Sequence, residues 1–138
     1  MHRKILAFLF VFVSLFLFST NVNAETVYVN DSNYEEEVFD KNSDKIIIVD
    51  FYATWCGPCQ MQSLVFQELE KDPSMKDVKI VKVNAEESTE AARSQNIDRY
   101  PTLMMVKKGR IVGKWTGLKD EQRLKGLIMR VRNIKFDD

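Results

Sequence analysis

The hydrophobic pattern of this chain alternates between short apolar runs and amphipathic segments. The strongest run, Ile46-Ile47-Ile48-Val49, predicts a strand over Lys45–Tyr52. Because this run has no polar alternation, we expect both faces of the strand to be covered, as in the centre of a parallel sheet. Shorter runs predict four further strands, at Val27–Val29, Val78–Val83, Thr102–Val106 and Ile111–Thr116. The last two flank a Lys108-Gly109 turn, which indicates an antiparallel hairpin.

Four helices are predicted around these strands. Ser32-Asn33-Tyr34-Glu35 matches a capping box and predicts a helix that reaches about Asp40. In a second helix, which ends before Pro73, the apolar residues expected to face the core are Met61, Leu64, Val65 and Leu69. The polar residues expected to face solvent are Gln60, Gln62, Gln67, Glu68 and Lys71. A short helix is predicted over residues 88–95, and Asp120 is predicted to cap the last one.

The first 24 residues differ from the rest of the chain. Arg3 and Lys4 precede the 14-residue run Ile5–Phe18, which is apolar except for Ser14, and Val22-Asn23-Ala24 supplies small residues before a cut. This pattern is typical of a secretory signal peptide, so we expect cleavage after residue 24 and a mature domain over residues 25–138. An uncleaved anchor is the alternative, although a run of 14 residues falls short of the roughly 20 apolar residues that span a bilayer.

Removal of this segment changes the charge and the expected surroundings. Two of the 20 basic residues are lost, which leaves 18 against 20 acidic ones. This near-neutral balance gives no support for nucleic acid or an anionic membrane surface as a partner. The remaining length suits one compact domain. Export predicts a periplasmic or extracellular location, tethered to a membrane if the signal is uncleaved, in an oxidising compartment.

The candidate chemistry follows directly after the strongest strand. Cys56 and Cys59 are the only cysteines in the chain, and they stand three residues apart. On the first turn of a helix, sulfurs at this spacing are close enough to bond, so the pair can alternate between dithiol and disulfide. The helix N-terminus favours the Cys56 thiolate, which makes Cys56 the predicted nucleophile. We expect Cys59 to be more buried and to resolve the mixed disulfide that Cys56 forms.

Two other interpretations of the cysteine pair remain open. A structural staple is disfavoured because closing so short a loop constrains the unfolded chain by only roughly 2 kcal/mol. A zinc site is disfavoured because the chain has no third cysteine, and its one histidine, His2, lies in the predicted signal peptide. A metal would then need carboxylate ligands or a second subunit. We therefore predict no metal or other cofactor.

The residues around the cysteines resemble the thioredoxin family. Val49–Cys59, followed by Tyr100-Pro101-Thr102 and Lys108-Gly109, is similar to thioredoxin in content and order, and the resemblance extends over about Val27 to Val131. It implies an α/β thioredoxin fold, with a central mixed β-sheet flanked by two helices on each face. It also implies an enzyme, a thiol–disulfide oxidoreductase that acts on disulfide-containing proteins and participates in electron transport and cell redox homeostasis.

The resemblance also implies roles for residues outside the cysteine pair. Asp50 would accept and donate the proton of Cys59, with a pKa that burial in an apolar strand should raise, unless the carboxylate reaches solvent instead. Lys82 would modulate that pKa, unless it is an ordinary surface lysine. A cis peptide before Pro101 is implied, with backbone that pairs with an extended substrate; a trans proline at a strand start is the alternative. The implied substrate-binding rim comprises Trp55, Gly57, Pro58, Tyr100, Pro101 and Gly117, although Trp55 could instead belong to the core.

Two positions depart from the family pattern. Leu64 stands where thioredoxins have a helix-kinking proline, so a straighter helix is expected, and Arg99-Tyr100 replaces smaller apolar residues, so substrate preference should differ from cytosolic relatives. Gly57-Pro58 resembles the reducing members of the family. We therefore predict a monomeric, exported protein-disulfide reductase that a membrane electron donor renews. A disulfide oxidase or isomerase with the same site, and a non-catalytic adaptor, are the alternatives.

Overall fold

A computed structural model describes residues 23–136, so the predicted signal peptide lies outside the described residues except for its last two positions. Strands and helices alternate as β1 Glu25–Val29, α1 Tyr34–Val38, β2 Ile46–Tyr52, α2 Gly57–Lys71, β3 Val78–Asn84, α3 Thr89–Ser94, β4 Thr102–Lys107, β5 Arg110–Thr116 and α4 Glu121–Arg132. A 3-10 turn at Pro73–Met75 follows α2. Across residues 23–136, no helix is both long and apolar enough to cross a membrane.

The five strands form one mixed sheet in the order β1-β3-β2-β4-β5. β3 pairs in parallel with both β1 and β2, while β4 pairs antiparallel with β2 and with β5. β2 therefore lies at the centre of the sheet, as its unbroken apolar run predicted. The β4–β5 hairpin is also confirmed.

Two helices cover each face of the sheet, which confirms the expected architecture. Alternate residues of β2 point to opposite faces of the sheet. Ile46 and Ile48 pack under α2 and α4. Ile47, Val49 and Phe51 pack under α1 and α3. All five side chains are buried. The apolar run is thus unbroken because both sides of the strand need apolar residues.

The prediction for the inward face of α2 is confirmed at Leu69, which is buried, and in part at Val65, which packs against the core. It is wrong at Met61 and Leu64, and at Gln62, which was expected to face solvent. Met61 and Leu64 are each 53% exposed, and the buried residues of the helix are Cys59, Gln62, Phe66 and Leu69. Gln62 can be buried because both ends of its amide are paired with the backbone of Lys119. Its Nε2 donates to the Lys119 carbonyl at 3.2 Å, and its Oε1 accepts from the Lys119 N–H at 2.8 Å. These bonds offset the cost of removing the amide from water.

The capping box predicted at the start of α1 is also wrong. Both the N–H and the hydroxyl of Ser32 donate to Asn30 Oδ1, so Ser32 belongs to a turn that precedes the helix. Asn33 takes the N-cap position, and the helix ends at Val38, two residues before the predicted end. At α4, by contrast, the Asp120 cap is confirmed, because its Oδ1 accepts from the Arg123 N–H at 2.7 Å.

Candidate active site

The cysteines lie where β2 ends and α2 begins. Cys56 is the N-cap residue of α2, and its Sγ accepts a hydrogen bond from the Cys59 N–H at 3.2 Å. Pro58 occupies the first turn, where its missing N–H costs no helical hydrogen bond. The two sulfurs are joined as a disulfide, with 5.3 Å between the Cα atoms. The Cys56 sulfur thus receives an N–H of the first helical turn, which is the contact that favours a thiolate once the disulfide is reduced.

Both cysteines are buried in this disulfide form. Cys56 is 5% exposed and Cys59 is 3% exposed, so the expected difference in their exposure is small. They pack in one cluster with Ala53 and with the ring of Tyr100. Gly57, which follows Cys56, is exposed, and a side chain built on it would meet nothing within 4 Å. A substrate can therefore approach the pair from the side of the first helical turn.

The predicted rim residues gather beside the cysteines. The Tyr100-Pro101 peptide is cis, as expected, and the Gly117 N–H donates to the Pro101 carbonyl at 2.8 Å. Gly117 has a φ of +83°, a conformation that glycine adopts without strain. Trp55 is 72% exposed and stands edge-on to Tyr100, with 6.0 Å between the ring centroids. Trp55 is therefore a surface residue beside the cis proline and not part of the core.

Glu86 is a site residue that the sequence analysis missed. Its Oε2 accepts hydrogen bonds from the N–H of Thr54 at 2.8 Å and from the Thr54 hydroxyl at 2.7 Å. These hydrogen bonds hold the pKa of Glu86 below its usual range. The contact joins the loop after β3 to the segment just before Cys56, so it holds in place the backbone that leads into α2. In the sequence, Glu86 is marked only by its position two residues after β3, the strand that pairs with β2.

Asp50 and Lys82 form a buried ion pair beneath the site. They are register partners on β2 and β3, and 2.7 Å separates Asp50 Oδ2 from Lys82 Nζ. Asp50 is 0% exposed and Lys82 is 5% exposed. Asp50 therefore does not reach solvent, and Lys82 is not an ordinary surface lysine. Burial raises the pKa of Asp50, and the Lys82 ammonium offsets part of that rise. Asp50 Oδ1 is buried without a hydrogen-bond partner among residues 23–136.

Ser63, also missed from the sequence, connects this ion pair to the resolving cysteine. Lys82 Nζ donates to Ser63 Oγ at 2.7 Å, and Ser63 Oγ donates to the backbone carbonyl of Cys59 at 3.2 Å. The rings of Tyr52 and Phe66 flank the ammonium, with centroids 4.7 and 5.6 Å from Nζ. The polar groups below the disulfide thus form one hydrogen-bonded chain from Asp50 to Cys59.

The arrangement supports electron exchange through sulfur. In the described part of the chain, no three His, Cys, Asp or Glu side chains are grouped so that they could hold a metal ion. A cysteine pair at a helix N-terminus, next to a cis proline and above a buried carboxylate, can alternate between disulfide and dithiol. The fold and the site together define a thiol–disulfide oxidoreductase.

Comparison with known proteins agrees with this class. The sequence model of the Thioredoxin family matches residues 25–130. The thioredoxin of Haemophilus influenzae is 35% identical over 105 residues, which cover 76% of this chain and 95% of that protein. The thioredoxin of Bacillus subtilis is 33% identical over 102 residues, which cover 74% of this chain and 93% of that protein. A mutant thioredoxin of Halobacterium salinarum superposes with a TM-score of 0.69 at 31% identity, over 81% of this chain and 95% of that one. This chain belongs to the thioredoxin family.

Family membership and the disulfide support an enzyme over the adaptor alternative. Thioredoxins act on protein substrates that contain disulfides.

Proposed function

We propose that this protein is an exported thioredoxin that reduces disulfides in other proteins. The proposed mature domain begins at Glu25, after the signal-peptide pattern of residues 1–24. The net reaction converts a substrate disulfide to two thiols while the Cys56–Cys59 dithiol becomes a disulfide. Each cycle therefore needs two electrons from outside, and for a protein exported to an oxidising compartment a membrane donor must supply them.

In the first step, the Cys56 thiolate attacks one sulfur of the substrate disulfide. A bond forms between Cys56 and that sulfur, and the other substrate sulfur leaves as a thiolate that takes a proton. The N–H of Cys59 bonded to Cys56 Sγ favours the thiolate before the attack. The backbone around the cis Pro101 and the exposed ring of Trp55 would hold an extended substrate segment over the sulfur.

In the second step, Cys59 resolves the mixed disulfide. Asp50 accepts the proton of the Cys59 thiol, directly or through one water, and the resulting thiolate attacks Cys56 Sγ. The Cys56–Cys59 bond forms and the reduced substrate leaves as its second thiol. A buried carboxylate with a raised pKa suits this role because its affinity for a proton is closer to that of a thiol.

The observation that carries the reducing direction is the Gly57-Pro58 pair between the cysteines. Neither residue carries a charge that would add to the stabilisation of the Cys56 thiolate by the helix N-terminus. A cationic residue at this place would stabilise the reduced form further and make the pair a stronger oxidant. The uncharged pair therefore favours a site that gives electrons to its substrates.

The reduction potential tests this direction. We expect the mature protein, equilibrated with glutathione buffers, to show a potential of about −270 mV, the value already known for thioredoxin. Thiol alkylation followed by mass spectrometry measures the reduced fraction at each buffer ratio. A potential of about −120 mV, as found for a strong disulfide oxidant, would favour the oxidase alternative.

Export is tested separately with the full chain. We expect the protein recovered outside the cytoplasm to begin at Glu25, because Val22-Asn23-Ala24 supplies the small residues before the cut. N-terminal sequencing and intact mass identify the cut. A variant without residues 2–24 serves as the control and should remain in the cytoplasm. Recovery of the full-length chain in the membrane fraction would show an anchor instead of a cleaved signal.

A further inference from the structure

The hydroxyl of Ser63 has a defined direction of hydrogen bonding. A lysine ammonium can only donate, so Ser63 Oγ must accept from Lys82 Nζ. The single hydroxyl proton then goes to the Cys59 carbonyl. Ser63 therefore links a charge beneath the site to the turn of α2 that carries the resolving cysteine.

If the Ser63 hydroxyl is removed, the Lys82 ammonium has space to move away from Asp50. A cavity of about 280 Å³ lies beside it, between β1 and α2, and is lined in part by Tyr28, Glu70 and Ser63. The polar atoms bonded to Nζ in the described structure are Asp50 Oδ2 and Ser63 Oγ. Without Ser63, the flexible lysine can turn toward this cavity and the Glu70 carboxylate.

We propose that Ser63 is a positioning residue that holds the Lys82 ammonium against Asp50 and ties this pair to the helical turn of Cys59. The inference rests on the proposed role of Asp50 as the proton acceptor. It concerns only the placement of the lysine charge, since Ser63 itself touches no reacting atom.

The consequence of the proposal is a change in the titration of Asp50. In Ser63→Ala, the ammonium stabilises the Asp50 carboxylate less, so Asp50 should titrate at higher pH than in the wild type. Because resolution by Cys59 requires the charged carboxylate as the proton acceptor, the pH profile of the resolution rate should move to higher pH together with the Asp50 titration. In the reduced protein, the Cys59 thiol is the group from which Asp50 is proposed to take its proton. The other titratable groups that face the pair are Tyr28 from β1, Tyr52 from β2 and Glu70 from α2.

The experiment measures two quantities in the mature protein. Carboxyl carbon NMR follows the titration of Asp50 in the reduced form, and rapid mixing follows the rate of resolution against pH. For Ser63→Ala we expect both midpoints to move to higher pH. Ser63→Thr keeps the hydroxyl and should restore both. The pair Ser63→Thr and Ser63→Val repeats the comparison at equal side-chain size.

A matched control is available in α3. Ser94 Oγ donates to the Ala91 carbonyl at 2.8 Å, a similar backbone contact without an ammonium partner. Ser94→Ala should leave both midpoints unchanged. An Asp50 titration in Ser63→Ala that equals the wild type, or a threonine variant that fails to restore it, would overturn the proposal. If the titration moves but the rate profile does not follow, the positioning by Ser63 holds and the proton role of Asp50 is lost.

Discussion

Replacing Cys59 with serine is expected to stop turnover and leave substrate proteins covalently attached to Cys56. The mixed disulfide still forms because Cys56 and its hydrogen bond at the helix N-terminus remain. Resolution fails because an alcohol is not ionised at neutral pH and does not form a disulfide. We expect a loss of turnover of about a thousandfold or more, the size typical of removing one member of a catalytic unit. Adducts that disappear on addition of dithiothreitol, on non-reducing gels and by mass spectrometry, are the measurement.

The reciprocal variant, Cys56→Ser, tests which of the two cysteines attacks the substrate first. Cys56→Ser should trap no adducts, since Cys59 lies within α2 and lacks the N-cap position that favours a thiolate at Cys56. The two residues differ little in exposure in the disulfide form, 5% against 3%, so burial alone does not assign the roles. The assignment depends on the position of Cys56 at the helix N-cap. Adducts on Cys59 in Cys56→Ser, with none in Cys59→Ser, would reverse the proposed order.

Most of the fold could be predicted because its signals are local. The run at residues 46–49 contains enough apolar residues to identify a central strand, and Lys108-Gly109 between two apolar runs identifies a hairpin. At α4, the Asp120 cap stands directly before the helix and bonds to Arg123, three residues later, so the local sequence identifies it. The family resemblance supplied the mixed sheet with two helices on each face, which the pattern alone did not; the order of the strands comes from the structure.

The buried face of α2 could be predicted only in part from periodicity, because one of its buried residues, Gln62, is polar. Gln62 is inside the molecule only because the backbone of Lys119, 57 positions later, pairs with both ends of its amide. Exposed Met61 and Leu64 gave the opposite impression, since each looks apolar enough to be core. A partner that distant leaves no trace in a local pattern.

The residues of the candidate site likewise fall into two groups, those that the sequence identifies and those that only the fold brings together. Cys56 and Cys59 are recognisable from their spacing, and Asp50 from its place inside an apolar strand. Lys82 meets Asp50 through strand register, which the resemblance supplied. Ser63 has a local relation to Cys59, one helical turn earlier, but its contact with Lys82 requires the packing of α2 on β3. Its importance therefore becomes visible only in three dimensions.

Asp50→Asn is expected to make the protein more stable at neutral pH while it slows resolution. Burial raises the pKa of Asp50, and Lys82 offsets only part of that rise. Since the folded pKa lies above the ordinary value of 3.8, the folded state binds this proton more tightly than the unfolded chain. The stability from this group is thus fully present below the unfolded pKa and is lost as pH rises through the folded pKa, by about 1.4 kcal/mol for each unit of upward shift. Asparagine has no such proton to lose.

Urea unfolding of the oxidised proteins between pH 3 and pH 9 measures this effect. The free energy of unfolding of the wild type should fall with pH relative to Asp50→Asn, whereas Glu90→Gln, which changes an exposed carboxylate on α3, should follow the wild type. The same Asp50→Asn variant should resolve the mixed disulfide about a hundredfold more slowly, the usual size for loss of a general base. If Asp50→Asn is instead the less stable protein at neutral pH, the ion pair with Lys82 outweighs burial. Asp50 would then have a pKa too low to hold the proton of a thiol, and its proposed role in the second step would have no physical basis.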